Sequence, residues 1–376
     1  MTKVLVTGGA GFIGSRLGVR LAKSGLKVRV LDCLSPQIHG PIARPPEWMA
    51  EHGVEFVHGS VTDRATLLSA LEGVEAVAHL AAETGTGQSM YQIAKYNEVN
   101  TQATALLFDI LANQKDRIVK RVVLTSSRSI YGEGAYRQQD GSRVFPGART
   151  AAALAAHQWD PRDAEGRRLT AVATRESDPP SPASIYAATK YAQEDIVRIG
   201  CEAFGIGYAI LRLQNVYGEG QSLNNPYTGI LSIFSTRIRR GSDLPLFEDG
   251  EESRDFVHVD DVAEALLRSL VRGTPPNAVI NVGSGVSTSV RHVAEELSRA
   301  FGREPETRIT GEYRLGDIRH NWADVARLRD ILDYTPRVSL EEGLIRFAKW
   351  VSTQPLPEDQ LDRANAELKQ RNLMGR

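Results

Sequence analysis

Tyr186 and Lys190 stand four positions apart in the run Tyr186-Ala187-Ala188-Thr189-Lys190. On a helix, positions i and i+4 share a face, so a phenol and an ammonium can point into one cleft. A free tyrosine has a pKa of about 10, too high for a base at neutral pH. A nearby ammonium favours the phenolate and lowers that value, so the pair can draw a proton from a hydroxyl. By itself the spacing is cheap, because many amphipathic helices carry a packed tyrosine and a solvated lysine there. It gains weight from the strand-like run Arg121 to Thr125, which leads into Ser126-Ser127-Arg128-Ser129-Ile130-Tyr131-Gly132. A serine just past a strand's carboxyl end lies where ligands bind in open parallel sheets. The Ser127 hydroxyl can hydrogen-bond the reacting oxygen there and share the proton transfer, although a Ser-Ser pair also serves simple loop capping.

A hydroxyl that gives up a proton in an oxidation also needs a hydride acceptor. The N-terminus reads Thr7-Gly8-Gly9-Ala10-Gly11-Phe12-Ile13-Gly14. Its Gly9-x-Gly11-x-x-Gly14 spacing follows an apolar strand, Lys3 to Thr7, and opens a helical pattern with Ile13, Leu17 and Leu21 apolar. Glycine lets the backbone turn tightly and approach a pyrophosphate, which sits on the positive helix N-terminus. A second strand, Lys27 to Leu31, ends at Asp32, at the spacing where an acid accepts hydrogen bonds from adenosine ribose hydroxyls. A carboxylate there repels a 2′-phosphate and favours NAD over NADP. Aspartate is also a common turn residue, and Pro36 follows closely. The nicotinamide's positive charge would add to that of Lys190 in lowering the tyrosine pKa.

These residues need a scaffold. Further strand-like runs lie at Val54 to His58, Val74 to Leu80 and Tyr208 to Leu213, separated by helical segments, notably Gln92 to Ala112 and Ser184 to Phe204. Strands alternating with helices predict an α/β fold, a Rossmann-type doubly wound parallel sheet with right-handed crossovers. The stretch 132–182 breaks the alternation: it is rich in Ala, Arg, Asp, Gly and Pro, has no strand period, and is long for a loop in a compact domain. Beyond Asn215 the pattern is irregular, with turn signals at Asn224-Asn225-Pro226, Asp249-Gly250 and Pro275-Pro276-Asn277. The expected organisation is an NAD-binding domain over 1–213 carrying the insert 132–182, then a smaller α/β substrate-binding lobe over 214–350. Helix 260–271 is expected to pack back on the first domain, and 351–376 to be a polar helix or frayed tail.

With a formal net charge of −1, nothing electrostatic points to nucleic acid or an anionic membrane. Cys33 and Cys201 are the only cysteines, too few for a disulfide framework or a thiolate metal site, which suits a reducing cytoplasm. The chain enters a strand at once without a basic region or a long apolar run, so a cytoplasmic location is expected.

With these motifs the chain resembles the extended short-chain dehydrogenase/reductase superfamily, specifically its NAD-dependent nucleotide-sugar epimerases and dehydratases, from Lys3 to about Trp350. The resemblance implies that Ser127, Tyr186 and Lys190 are catalytic. It places Gly8, Gly11, Phe12, Ile13, Gly14, Asp32, Val61, Leu80, Ala81, Ala82, Lys190 and Leu213 around NAD, with Asn100 supporting the site. Relatives usually have Asp where this chain has Ser60, which puts an adenine contact in doubt. Asn215-Val216-Tyr217-Gly218 matches the family's substrate-contacting strand end. Arg254-Asp255-Phe256-Val257-His258-Val259 and Arg314-Leu315-Gly316-Asp317 match its two arginine segments that hold a diphosphate. A planar guanidinium suits phosphate oxygens, although either arginine could instead serve an ion pair. A homodimer through the helices 92–112 and 184–204 is the family expectation.

In the family's 4,6-dehydratases an Asp-Glu pair follows the catalytic hydroxyl residue, where this chain has Arg128 and Ser129. Decarboxylating relatives have a Glu at the Ser129 position, and 3,5-epimerising ones a Cys. Hydride removal and return therefore remain, and the resemblance implies a 4-epimerase. Ser35-Pro36-Gln37-Ile38-His39-Gly40, the run Glu83 to Tyr91, the run Ser222 to Gly229 and Gly316-Asp317-Ile318-Arg319-His320 resemble the subgroup of dTDP-L-rhamnose 4-epimerase and related deoxysugar enzymes. That makes Thr86, Gln88 and Ser89 sugar-contact candidates beside Asn215, Arg254 and Arg314. Relatives in the subgroup often carry Cys-x-x-Cys in the insert. This chain reads Trp159-Asp160-Pro161-Arg162-Asp163 instead, so no zinc is expected there. A one-way 4-ketoreductase or dehydrogenase, a UDP-sugar 4-epimerase and a non-catalytic NAD sensor are the competing expectations.

Overall fold

The computed structural model describes residues 2–40, 44–114, 117–223, 229–271, 276–359 and 361–376. The whole Asn224-Asn225-Pro226 turn, with the residues up to Thr228, and Pro275 lie outside these. Seven parallel strands form the main sheet: β1 (Lys3–Thr7), β2 (Lys27–Asp32), β3 (Glu55–His58), β4 (Ala76–His79), β5 (Arg121–Ser127), β6 (Gly207–Leu213) and β7 (Ala278–Val282). They lie in the order β7-β6-β5-β4-β1-β2-β3. The order reverses next to β1, so the carboxyl ends of β1 and β4 diverge and leave a crevice, the place where open α/β sheets bind ligands.

Both faces of the sheet are covered, which is why its strands are apolar on both sides. Val4, Val6, Val28 and Val30 pack with Leu17 and Leu21 of α1 (Phe12–Lys23) on one face. On the other, Leu5, Val77, Val122 and Leu124 meet Leu107 and Leu111 of α2 (Ala103–Asn113) and Val197 and Cys201 of α3 (Ile185–Phe204). Alternation along each strand thus splits one short run between two cores.

The chain then leaves the sheet and returns. Helix α4 (Val259–Val271) packs on the first core through Val262, Ala265 and Leu266, and β7 pairs with β6. The β7 strand is not visible in the residue pattern, because it sits directly behind the turn at Pro276-Asn277. From residues before and after these returns a separate core forms around Phe234, Leu246, Phe256, Leu297 and Phe347.

The insert folds into a three-stranded antiparallel sheet, Ala135–Arg137, Arg143–Val144 and Thr170–Val172, too short to show a period of two. Buried ion pairs fasten it to the second lobe: Arg149 bonds Glu133 and Glu248, each at 2.8 Å. Of the polar helix or frayed tail expected, the C-terminal stretch takes the helical form, but with one side buried. Residues Leu361–Gln370 form α5, with Leu361, Ala364, Asn365 and Leu368 buried, and Met374–Gly375 pairs with Tyr313–Arg314.

Candidate active site

The β1–α1 turn is close-packed backbone. A Cβ on Gly14 would lie 2.4 Å from the Gly8 carbonyl oxygen, and one on Gly8, at φ +68°, would lie 2.8 Å from the Ala81 amide nitrogen. Gly11 caps α1 without a side chain, so the first-turn N–H groups face the cleft with no side-chain acceptor. Such donors on a twelve-residue helix suit a pyrophosphate. Asp32 braces the turn: its Oδ2 accepts from Ala10 N at 3.0 Å and its Oδ1 from Leu34 N at 2.8 Å. Each oxygen keeps a second lone pair for a ribose hydroxyl. Ser60 lines the same end, with its hydroxyl 2.8 Å from that of Thr62.

A cleft of about 620 Å³ runs from this turn past the ends of β4, β5 and β6. It gathers most of the expected residues: the glycine turn, Phe12, Ile13, Asp32, Val61, Leu80, Ala81, Ala82, Ser127, Tyr186, Lys190, Leu213, Asn215 and Thr86. Ser127 ends β5, and its Oγ accepts from Ser129 N at 3.2 Å and Ser129 Oγ at 3.0 Å. Tyr186 is the second residue of α3, whose N-cap Ser184 accepts from Ala187 N. Burial raises the Tyr186 pKa, while the Ser127 hydroxyl hydrogen-bonded to it and the Arg128 guanidinium pull it down. Lys190 is buried, and desolvation pushes its ammonium down to about 7.

A second cavity of about 240 Å³ adjoins the first, sharing Thr86, Arg128 and Asn215. Arg254 and Arg314 both line it. Arg254 is committed to the protein: its Nη2 bonds Asp317 Oδ1 at 2.8 Å and Ile318 O at 2.7 Å, and Nη1 bonds two further carbonyls. Burial opposes the charge on Asp317, but Arg254 and the Ile318 amide hold its pKa at about 2. Arg314 differs, because its buried Nε has no partner among the described residues.

Three expected contacts do not reach either cavity. Asn100, fully buried, accepts from Glu83 N at 2.8 Å and donates to Glu83 O and Thr189 Oγ1. It sits in a π-helical stretch, Asn97–Gln102, that turns its amide onto that loop, so it holds the cleft wall. Gln88 is taken up by Gln37 and Tyr96. Ser89 donates to Thr86 O at 2.6 Å and accepts from Tyr186 N at 3.0 Å, which anchors the start of α3. Their spacing in the sequence was right for the loop but silent on which way each polar group turned.

Other residues escaped the sequence reading. Arg128 had been noted only for what it replaces, yet it lines both cavities and its Nε donates to Asn215 Oδ1 at 3.2 Å. Leu361, Ala364 and Leu368 line the second cavity; their 361/364/368 spacing was a visible helical signal.

A family model described as the NAD dependent epimerase/dehydratase family matches residues 4–155 and 163–283. The chain belongs to this family. The gap in the match, 156–162, falls within the insert. Family relatives include a dTDP-L-rhamnose 4-epimerase from Burkholderia thailandensis, 41% identical over 96% of this chain and 97% of the relative. A UDP-glucose 4-epimerase from Mycolicibacterium smegmatis is 31% identical over 93% of this chain and 98% of that protein. Among solved structures, the Thermotoga maritima UDP-glucose 4-epimerase with UDP-glucose is 28% identical, with a TM-score of 0.74, covering 93% of this chain and 99% of that one. MoeE5 in complex with UDP-glucose and NAD is 29% identical, with a TM-score of 0.72, covering 93% and 98%. Family membership makes this chain an NAD-dependent enzyme of nucleotide-sugar chemistry.

Proposed function

We propose that the protein is an NAD-dependent nucleotide-sugar 4-epimerase acting on a dTDP-deoxyhexose such as dTDP-L-rhamnose. The observation that carries this reading is the placement of Tyr186 against Ser127 and Arg128 at the cleft, without a free acid–base pair beside them. Among the described residues, the carboxylates lining the cleft are Asp32, at the glycine turn, and Glu83, whose Oε1 is 3.0 Å from Lys95 Nζ. Elimination of water needs both an acid and a base at the sugar, and neither carboxylate is placed for it. The similarity to the Burkholderia relative supports the choice of sugar and nucleotide.

Bound NAD supplies the acceptor that takes the C4 hydride and gives it back. Tyr186, as phenolate, removes the C4 hydroxyl proton and later returns it, while Ser127 holds the same oxygen. Lys190 and Arg128 place positive charge near the phenol and favour its ionised form. The 4-keto sugar turns between the two transfers and presents its other face. The separate second core supports a domain division at 213/214, although α4 and β7 return to the sheet. Exposed Ile93 and Ile199, on the helices expected to pair, support a homodimer. Among the described residues no helix is long and apolar enough to cross a membrane, in keeping with a cytoplasmic enzyme.

The test is incubation with NAD and a panel of nucleotide sugars that includes dTDP-L-rhamnose, followed by mass spectrometry and proton NMR. A product of unchanged mass with inverted C4 coupling is expected. Loss of water or carbon dioxide overturns the reading.

A further inference from the structure

The C-terminal segment lies where it touches both halves of the second cavity. Leu361, Ala364 and Leu368 of α5, with Leu373 beyond it, line that cavity. The segment is tied to the second lobe by the Tyr313–Arg314 pairing with Met374–Gly375 and by Lys369, 2.6 Å from Glu312. It is tied to the loop after β4 as well, where the Arg371 guanidinium sits 4.3 Å above the Tyr91 ring and Tyr91 Oη donates to Glu367. Between these anchors Asn365 Oδ1 accepts from Arg314 Nη2 at 2.9 Å, and the Arg314 guanidinium lies 4.5 Å over the Phe247 ring. Stacking and the Asn365 bond fix the plane of the fork, and the unpartnered Nε shows that one donor is left for another acceptor.

We infer that residues 361–375 are part of the substrate site: α5 forms an apolar wall of the cavity, and Asn365 positions Arg314 to grip a nucleoside diphosphate. The inference rests on the nucleotide-sugar reading above. A buried donor without a partner is uncommon and calls for an anion or acceptor. A guanidinium held in plane loses less freedom when it binds phosphate oxygens. Asn365 does not touch the reacting carbon and is a positioning residue, so its loss falls on binding and spares the chemical step.

The test uses full-length Asn365→Leu and Leu368→Asn, with Leu368→Met as an apolar control. Calorimetry with dTDP and UDP, NAD content and steady-state kinetics are measured for each. Loss of the hydrogen bond to the Arg314 guanidinium in Asn365→Leu, and an amide set into the apolar wall in Leu368→Asn, each predict a dTDP Kd weakened about tenfold. KM is expected to rise with it while kcat and NAD content hold, a split that general unfolding does not produce. Leu368→Met is expected to bind like the wild type. Wild-type protein that binds neither nucleotide removes the nucleotide-sugar reading and this inference with it. Wild-type binding with an unchanged Kd in both variants overturns this inference alone.

Discussion

Lys190 Nζ donates to Gln193 Oε1 at 2.6 Å, so the buried ammonium at the cleft has a neutral partner. The contact heads a buried chain: Gln193 Nε2 donates to Thr104 Oγ1, which also lies 3.0 Å from His79 Nε2, and His79 Nδ1 lies 2.9 Å from Thr7 Oγ1. Thr104 spends its own proton on Asn100 O, which makes His79 Nε2 the donor and Nδ1 the acceptor. Burial keeps His79 neutral, with its pKa down to about 3. Lys190 is thereby connected to the residue that opens the glycine turn.

Gln193→Glu replaces the neutral partner with a carboxylate. It is expected to raise the Lys190 pKa and cancel its field at Tyr186, moving the rising limb of the kcat–pH profile upward by about one unit. An unmoved limb would show that Lys190 does not set the phenol's ionisation.

Tyr186→Phe removes the proton acceptor and keeps the ring. Turnover should fall by about 10³-fold or more, with NAD still bound, and Ser127→Ala by about 10²-fold. Single-turnover kinetics with cofactor absorbance checks both.

Gly14→Ala pushes a methyl into the Gly8 carbonyl, 2.4 Å away. We expect destabilisation of about 1–3 kcal/mol and loss of co-purified NAD, read by denaturant melts and extract absorbance. Retention of both would place the cofactor elsewhere.

Glu252 lines the second cavity, is buried, and its Oε2 has no partner among the described residues. Desolvation lifts its pKa from 4.5 to about 8. Between those values the folded state holds a proton that the unfolded chain gives up, so this stabilisation is complete below 4.5 and is lost as pH rises through 8. The Tm of Glu252→Gln relative to wild type should therefore climb across this window, by roughly 1–3 kcal/mol in stability terms. Above pH 8 the ionised carboxylate should also weaken dTDP binding in the wild type and not in the variant.

Local chemistry made much of this protein readable in advance. Glycine spacing, the acid ending β2 and the Tyr–Lys pair are each set within a turn or a strand, and short-range sterics and periodicity dictate them. Six of the seven sheet strands were legible for the same reason, since buried parallel strands are continuous apolar runs. The direction of polar side chains was not legible: Gln88, Ser89 and Asn100 turn away from the cavities because their partners, Gln37, Tyr186 and Glu83, come from other segments. Nor was the role of the C-terminus, whose apolar stripe is ordinary until Arg314 and Tyr91 are brought against it. Chain proximity governs the first group of features; contacts between residues 17 to 276 positions apart, from Asn100 with Glu83 to Tyr91 with Glu367, govern the second, and only the folded arrangement supplies those.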